Sequence, residues 1–92
     1  MILGFRHRGL RRLYEDDDKR GVNAQHLPRI LTILARLDVA RGPDDMDVVG
    51  LRLHPLKGDL DGFWSVTVRA NWRIIFRFEG ENAVDVDYLD YH

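Results

Sequence analysis

The second half of this chain holds residues able to move protons and carry charge on a phosphate: His54, Lys57, Arg73, Tyr91 and His92. Histidine titrates near neutral pH, with an ordinary pKa of roughly 6.5, so a pair can serve as base and acid. An arginine fork stabilises charge that develops on a phosphate. An aromatic ring can stack on a splayed base. Together these groups suit RNA cleavage: a 2′-hydroxyl loses a proton, the scissile phosphate gains charge, and the 5′-oxygen is protonated. A blander reading stands beside this one, with Lys57 and Arg73 as solvated charges, Tyr91 as an edge aromatic and His92 as a frayed end. Metal binding is not expected, because no HxxxH spacing occurs and no carboxylates are patterned around the histidines. His7 and His26 lie near helix starts among polar residues and read as surface or capping groups.

The elements that must position these residues follow from periodicity. Leu10, Leu13 and Tyr14 mark one face of a short helix over 7–15, after an apolar stretch, Ile2 to Phe5, that reads as a strand. The acids Glu15 to Asp18 read as a solvated loop. Asn23 is a plausible N-cap and Pro28 fits a first turn. Leu27, Ile30, Leu31, Leu34 and Leu37 then form the apolar face of a helix ending near Ala40, with Gly42 and Pro43 beyond it. A helical turn at 44–47 would point Met46 inward.

After Gly50 the period changes to two. Leu51 and Leu53 alternate with Arg52 and His54, and Pro55 holds His54 extended. Trp64, Val66 and Val68 share one face of the next strand; Phe63, Ser65, Thr67 and Arg69 share the other. Trp72, Ile74, Phe76 and Phe78 alternate with Arg73, Ile75 and Arg77. A hairpin turn at 80–82 leads to Val84, Val86 and Tyr88, alternating with Asp85, Asp87 and Leu89. The predicted fold is α+β, with N-terminal helices packed on one face of a small curved, mostly antiparallel sheet. The other face carries Arg73 and Arg77, with Asp85 and Asp87 on the neighbouring strand.

Ninety-two residues make one domain, 1–92. Without cysteine, disulfides and thiolate zinc sites are excluded, and a reducing cytoplasm is compatible. No apolar run approaches the roughly 20 residues that span a bilayer, and the basic residues follow the first apolar segment, the wrong order for a secretory signal. The expectation is a cytoplasmic protein with no membrane association. A net charge of −1 argues against a general nucleic-acid binder. Charge is segregated, however: residues 52–77 hold five Lys/Arg against two acids. A locally basic site passes this test; a broad basic face does not.

FRHRGLRRLYE, LARLDVA, LRLHPLKGDLDGFWSVTV, NWRIIFRFEG and the closing DYH, in this order and spacing, resemble the HigB family of toxins within the RelE/ParE superfamily. The resemblance covers Phe5 to His92. It implies a cytoplasmic toxin of a type II toxin–antitoxin pair that cuts mRNA on the ribosome, needs no cofactor, and is neutralised by a HigA-like helix-turn-helix antitoxin. Operator DNA would be reached indirectly, through that antitoxin. LHPLKG places His54 and Lys57 in the site, NWR adds Asn71 and Arg73, and DYH adds Asp90, Tyr91 and His92. The resemblance implies His54 and His92 as the acid–base pair, in either order, and Arg73 as the transition-state cation. Lys57 would bind phosphate or aid that charge, Tyr91 would stack on a base or hold a histidine, and Asp90 would orient a ring nitrogen. Arg69 is a phosphate contact at most, since the family often has Asn or Gly in the loop that here reads Arg69-Ala70. The acidic net charge is a second departure. Two other roles stay open: a ParE-like inhibitor of DNA gyrase without nuclease activity, and an inert antitoxin-binding subunit.

Overall fold

The computed structural model describes residues 1–91. Helix α1 runs Arg8–Asp16 and helix α2 Leu27–Val39; the strands are β1 His54–Pro55, β2 Trp64–Arg69, β3 Trp72–Glu79 and β4 Asn82–Asp90. The sheet order is β1-β2-β3-β4, every neighbour antiparallel. The helices cover one face, where Ile30, Ile33, Leu34 and Leu37 of α2 meet Val66, Ile74, Phe76 and Val86. No helix among the described residues is long and apolar enough to cross a membrane.

Several elements depart from the periodicity. Ile33 is fully buried on α2, whereas Leu31 is 41% exposed. The buried stripe is thus 30, 33, 34 and 37, and Leu31 is rotated to the shoulder where α2 meets Leu13 and Tyr14 of α1. Ile2 to Phe5 forms isolated parallel bridges to Ala83 and Val86 on the edge of β4, not a ladder. The cause is a bulge at Asp85, whose φ of 53° lies in the left-handed region, with a shift of the β3–β4 register between Ile75 and Arg77. The bulge puts Ala83, Val86 and Tyr88 in the main core and turns Val84 away from it. The acidic run is also more structured than a loop. Glu15 and Asp16 end α1, Asp17 caps it in the left-handed conformation, and Asp18 takes a two-pronged ion pair from Arg20.

His7 caps α1: its Nδ1 accepts the Leu10 N–H at 3.1 Å, which places any ring proton on Nε2. Burial lowers the ring's pKa from its ordinary 6.5, and the Asp87 carboxylate offsets this in part. The unfolded chain therefore binds more protons just below about pH 6.5, so the cap's stabilisation is present above that pH and is lost as the pH falls. His7→Ser keeps a cap without titrating. Its melting temperature is expected to fall less steeply than wild type in the window just below about pH 6.5.

His26, read as a surface or capping group, is buried instead. Its Nδ1 lies 2.6 Å from the Tyr88 hydroxyl, and its ring packs edge-on against Trp72. Tyr88 in turn stacks on Trp72 with ring centroids 4.8 Å apart. This cluster ties the turn before α2 to the ends of β3 and β4 that carry Arg73 and the C-terminal tail.

The start of α1 also depends on a close backbone approach. A Cβ on Gly9 would meet the Gly21 carbonyl carbon at 2.8 Å and its oxygen more closely still. Gly9→Ala is expected to destabilise the fold by about 1–3 kcal/mol despite alanine's higher helix propensity. In a domain of this size that lowers the melting temperature by roughly 5–15 °C. Gly42→Ala, where nothing lies within 4 Å of the added methyl, serves as the neutral comparison.

Candidate active site

The sheet face turned away from the helices has two parts. At one end a small apolar cluster forms from Leu56, Phe63 and Ile75, with Leu60 and Leu89 packed against it. Beside it opens a cleft of about 260 Å³. Alternation in the strands decides what enters the cleft: Ser65 and Thr67 of β2 point outward because Trp64, Val66 and Val68 point into the core.

Register brings the chemistry together. His54 on β1 pairs with Ser65, and Thr67 pairs with Arg73 on β3. Pro55 excludes the helical conformation for His54, and the buried Leu56 anchors the chain just beyond. Tyr91 reaches the cleft from the end of β4, its N–H donating to the Asn71 carbonyl at 2.8 Å. His54, Arg73 and Tyr91, far apart in sequence, therefore line one cleft.

Arg73 is half-buried, and its Nη1 donates to the Ala70 carbonyl at 2.5 Å and to the Trp72 carbonyl at 3.3 Å. Ala70 can offer its carbonyl because its φ of 51° makes the tight left-handed turn between β2 and β3. One nitrogen of the guanidinium is thus fixed by main chain, and the rest of the fork keeps donors for an anion. Arg77, two residues along, is committed elsewhere: it binds Asp85 at 2.7 Å and Glu79 at 3.3 Å.

The other sequence-predicted residues lie around this centre. Lys57 is exposed at the start of the Gly58–Leu60 turn, three residues past His54. Arg69 is exposed at the end of β2, Asn71 is exposed in the following turn, and Asp90 pairs with Trp72 across the sheet. None of these four lines the cleft. His92 falls outside the described residues. Sequence reasoning did not single out Arg52, Ser65 and Thr67, which line the cleft with His54. The signal was present: Arg52 alternates with Leu51 and Leu53, as His54 does, and Ser65 and Thr67 occupy the polar side of their strand.

A family model described as the RelE-like toxin of type II toxin-antitoxin system HigB matches residues 3–92. Endoribonuclease HigB of Proteus vulgaris is 46% identical over 92 residues, covering all of both chains. Toxin HigB-1 of Vibrio cholerae serotype O1 is 32% identical over 94 residues, covering all of this chain and 98% of the relative. Among solved structures, the YoeB/ParE toxin from Agrobacterium tumefaciens superposes with a TM-score of 0.58 at 18% identity, over all of this chain and 99% of that one. YafQ from E. coli superposes at 0.53 and 14% identity, over 95% of this chain and 89% of that one. At these identities the structural likeness speaks to fold alone.

Proposed function

Because this chain belongs to the HigB-like toxins of type II toxin–antitoxin systems, a RelE-like family, we propose that it is an endoribonuclease that cuts mRNA on the ribosome. The observation that carries this reading is the convergence of His54, Arg73 and Tyr91 in one cleft on the sheet face away from the helices. In the proposed reaction an imidazole takes the proton of a 2′-hydroxyl, and the freed oxygen attacks the adjacent phosphorus. A second imidazole protonates the 5′-oxygen as its bond to phosphorus breaks, which leaves a 2′,3′-cyclic phosphate. His54 and His92 fill these two roles. Arg73 holds the phosphate as negative charge builds on its oxygens. Tyr91 stacks on a base next to the break, Lys57 adds positive charge from the turn after β1, and Asp90 orients a ring nitrogen. Asn71 and Arg69 contact the substrate at the rim. The chemistry needs no metal or cofactor, because imidazoles move both protons.

In this reading residues 1–92 act as one cytoplasmic toxin domain. The natural partner is a HigA-like helix-turn-helix antitoxin, through which the complex reaches operator DNA. Primer extension on mRNA after induction tests the function. Cleavage inside translated codons, absent from untranslated RNA and lost in His54→Ala, is the expected result. Growth arrest with intact mRNA and a DNA-damage response would instead indicate gyrase as the target. Tight antitoxin binding without any toxicity would leave an inert subunit.

A further inference from the structure

We infer that Arg52 is a second phosphate-binding residue of this cleft, holding a phosphate next to the scissile one, so that the toxin grips a dinucleotide step. The inference rests on the reading of the cleft as the RNA-cleaving site. The first observation is how the chain delivers Arg52. Gly50 and Arg52 both have positive φ, 93° and 55°, on either side of the buried Leu51. Glycine takes this conformation freely, whereas arginine does so at a cost. The expected strand over 51–54 is broken here, and only His54–Pro55 joins the ladder.

The strained turn is held from three sides. Arg29 of α2 donates from Nη2 to the Gly50 carbonyl at 2.5 Å and also reaches the Thr67 carbonyl at 3.4 Å. Leu51 accepts the Thr67 N–H at 2.7 Å and donates to the Val48 carbonyl at 3.0 Å. A surrounding structure that enforces a costly conformation points to use of the side chain it aims. Here that side chain is a guanidinium lining the cleft.

The second observation is lateral placement. The Leu51–Thr67 bond puts Arg52 beside Thr67 on one side of β2, and Arg73 pairs with Thr67 on the other. At ordinary strand spacing their Cα atoms lie roughly 10 Å apart, and both residues line the cleft together with Thr67. No hydrogen bond or ion pair joins the Arg52 guanidinium to another described residue, and no carboxylate lines the cleft. Two cations with no acid between them match two successive phosphates better than one. Tyr91 is tied to Asn71 in the turn before Arg73, and we therefore place the scissile phosphate at Arg73 and its neighbour at Arg52.

The test uses full-length toxin on ribosomes programmed with mRNAs in which one phosphate, on the 5′ or the 3′ side of the cleavage site, is a neutral methylphosphonate. In wild type, one of the two replacements is expected to slow single-turnover cleavage roughly tenfold or more. Arg52→Gln should lose a similar factor on ordinary mRNA and then be indifferent to that replacement. Arg52→Gly should show the same loss in cleavage with an unchanged or higher melting temperature, because glycine accepts the turn without strain. That opposition separates phosphate binding from a structural role. Cleavage at the wild-type rate by Arg52→Gln, or an undiminished methylphosphonate penalty in that variant, overturns the inference while leaving the cleft's function intact. Full cleavage by His54→Ala and Arg73→Ala would overturn both, since the cleft would then not be the cleaving site.

Discussion

Arg73→Ala is expected to lower the single-turnover rate of mRNA cleavage by roughly 10²–10³-fold, with antitoxin binding and folding retained. The magnitude follows from what the side chain is held to do. Removing one preorganised donor from a site where charge develops costs about that factor in other hydrolytic centres, because the donor acts on the transition state more than on the ground state. The Arg73 fork is preorganised here: one nitrogen is fixed on the Ala70 and Trp72 carbonyls, so little reorganisation is needed when charge builds. Arg73→Lys separates charge from geometry. Lysine keeps the positive charge and loses the planar fork, so an intermediate rate is expected. A rate for Arg73→Lys equal to that of Arg73→Ala would mean that the fork carries the whole effect. A full rate would mean that charge alone suffices. Unchanged cleavage in Arg73→Ala would remove the residue from the mechanism. Folding is checked by melting temperature, which is expected to shift little: Arg73 lies on the face away from the main core, whose β3 members are Ile74 and Phe76.

The fold was legible wherever a long period met a single buried face. The existence of α2, three of its buried positions (Ile30, Leu34 and Leu37) and the alternation of β2 and β3 appear in the structure as the residue types suggested, because one sheet face must be covered. What escaped the sequence lies where tertiary geometry overrules local pattern. The bulge at Asp85 reverses the side of Val84, and no strand propensity marks it, since aspartate in the left-handed region is chosen by the register of β3. His26 stands among polar residues yet is buried, because its partner Tyr88 is 62 positions away. Of the residues lining the cleft, His54, Arg73 and Tyr91 are the ones that residue types and family resemblance single out. Arg52 carries the same alternation as His54 but no motif to single it out, and its extended-looking context hides the positive φ at that position. A pairwise register, not a motif, brings Thr67 and Arg73 together, and that register exists only once the sheet is formed.

Removing Tyr91 and His92 together is expected to abolish toxicity and leave the fold standing. The structural half rests on how lightly Tyr91 is held. It lies beyond the last residue of β4, it is exposed, and among the described residues its main-chain bond to the body is the N–H to Asn71. The residues that hold β4 in place come earlier: Ala83 and Val86 in the core, and Tyr88 locked between Trp72 and His26. Loss of one exposed ring and one solvent-facing hydrogen bond corresponds to about 1 kcal/mol, a few degrees in melting temperature. The functional half rests on the proposed chemistry. Without His92 one of the two proton transfers has no side chain to perform it, which alone is worth roughly 10²–10⁴-fold. Without Tyr91 the cleft loses its only aromatic wall among the described residues, and with it about 1–3 kcal/mol of base stacking. The two losses fall on different steps, so single variants divide them: His92→Ala should lower the maximal rate, and Tyr91→Ala should mainly raise the toxin concentration needed to reach it. If the truncated protein unfolds at the wild-type temperature and still arrests growth, the tail is not part of the machinery, and His54 must find its proton-transfer partner elsewhere in the cleft.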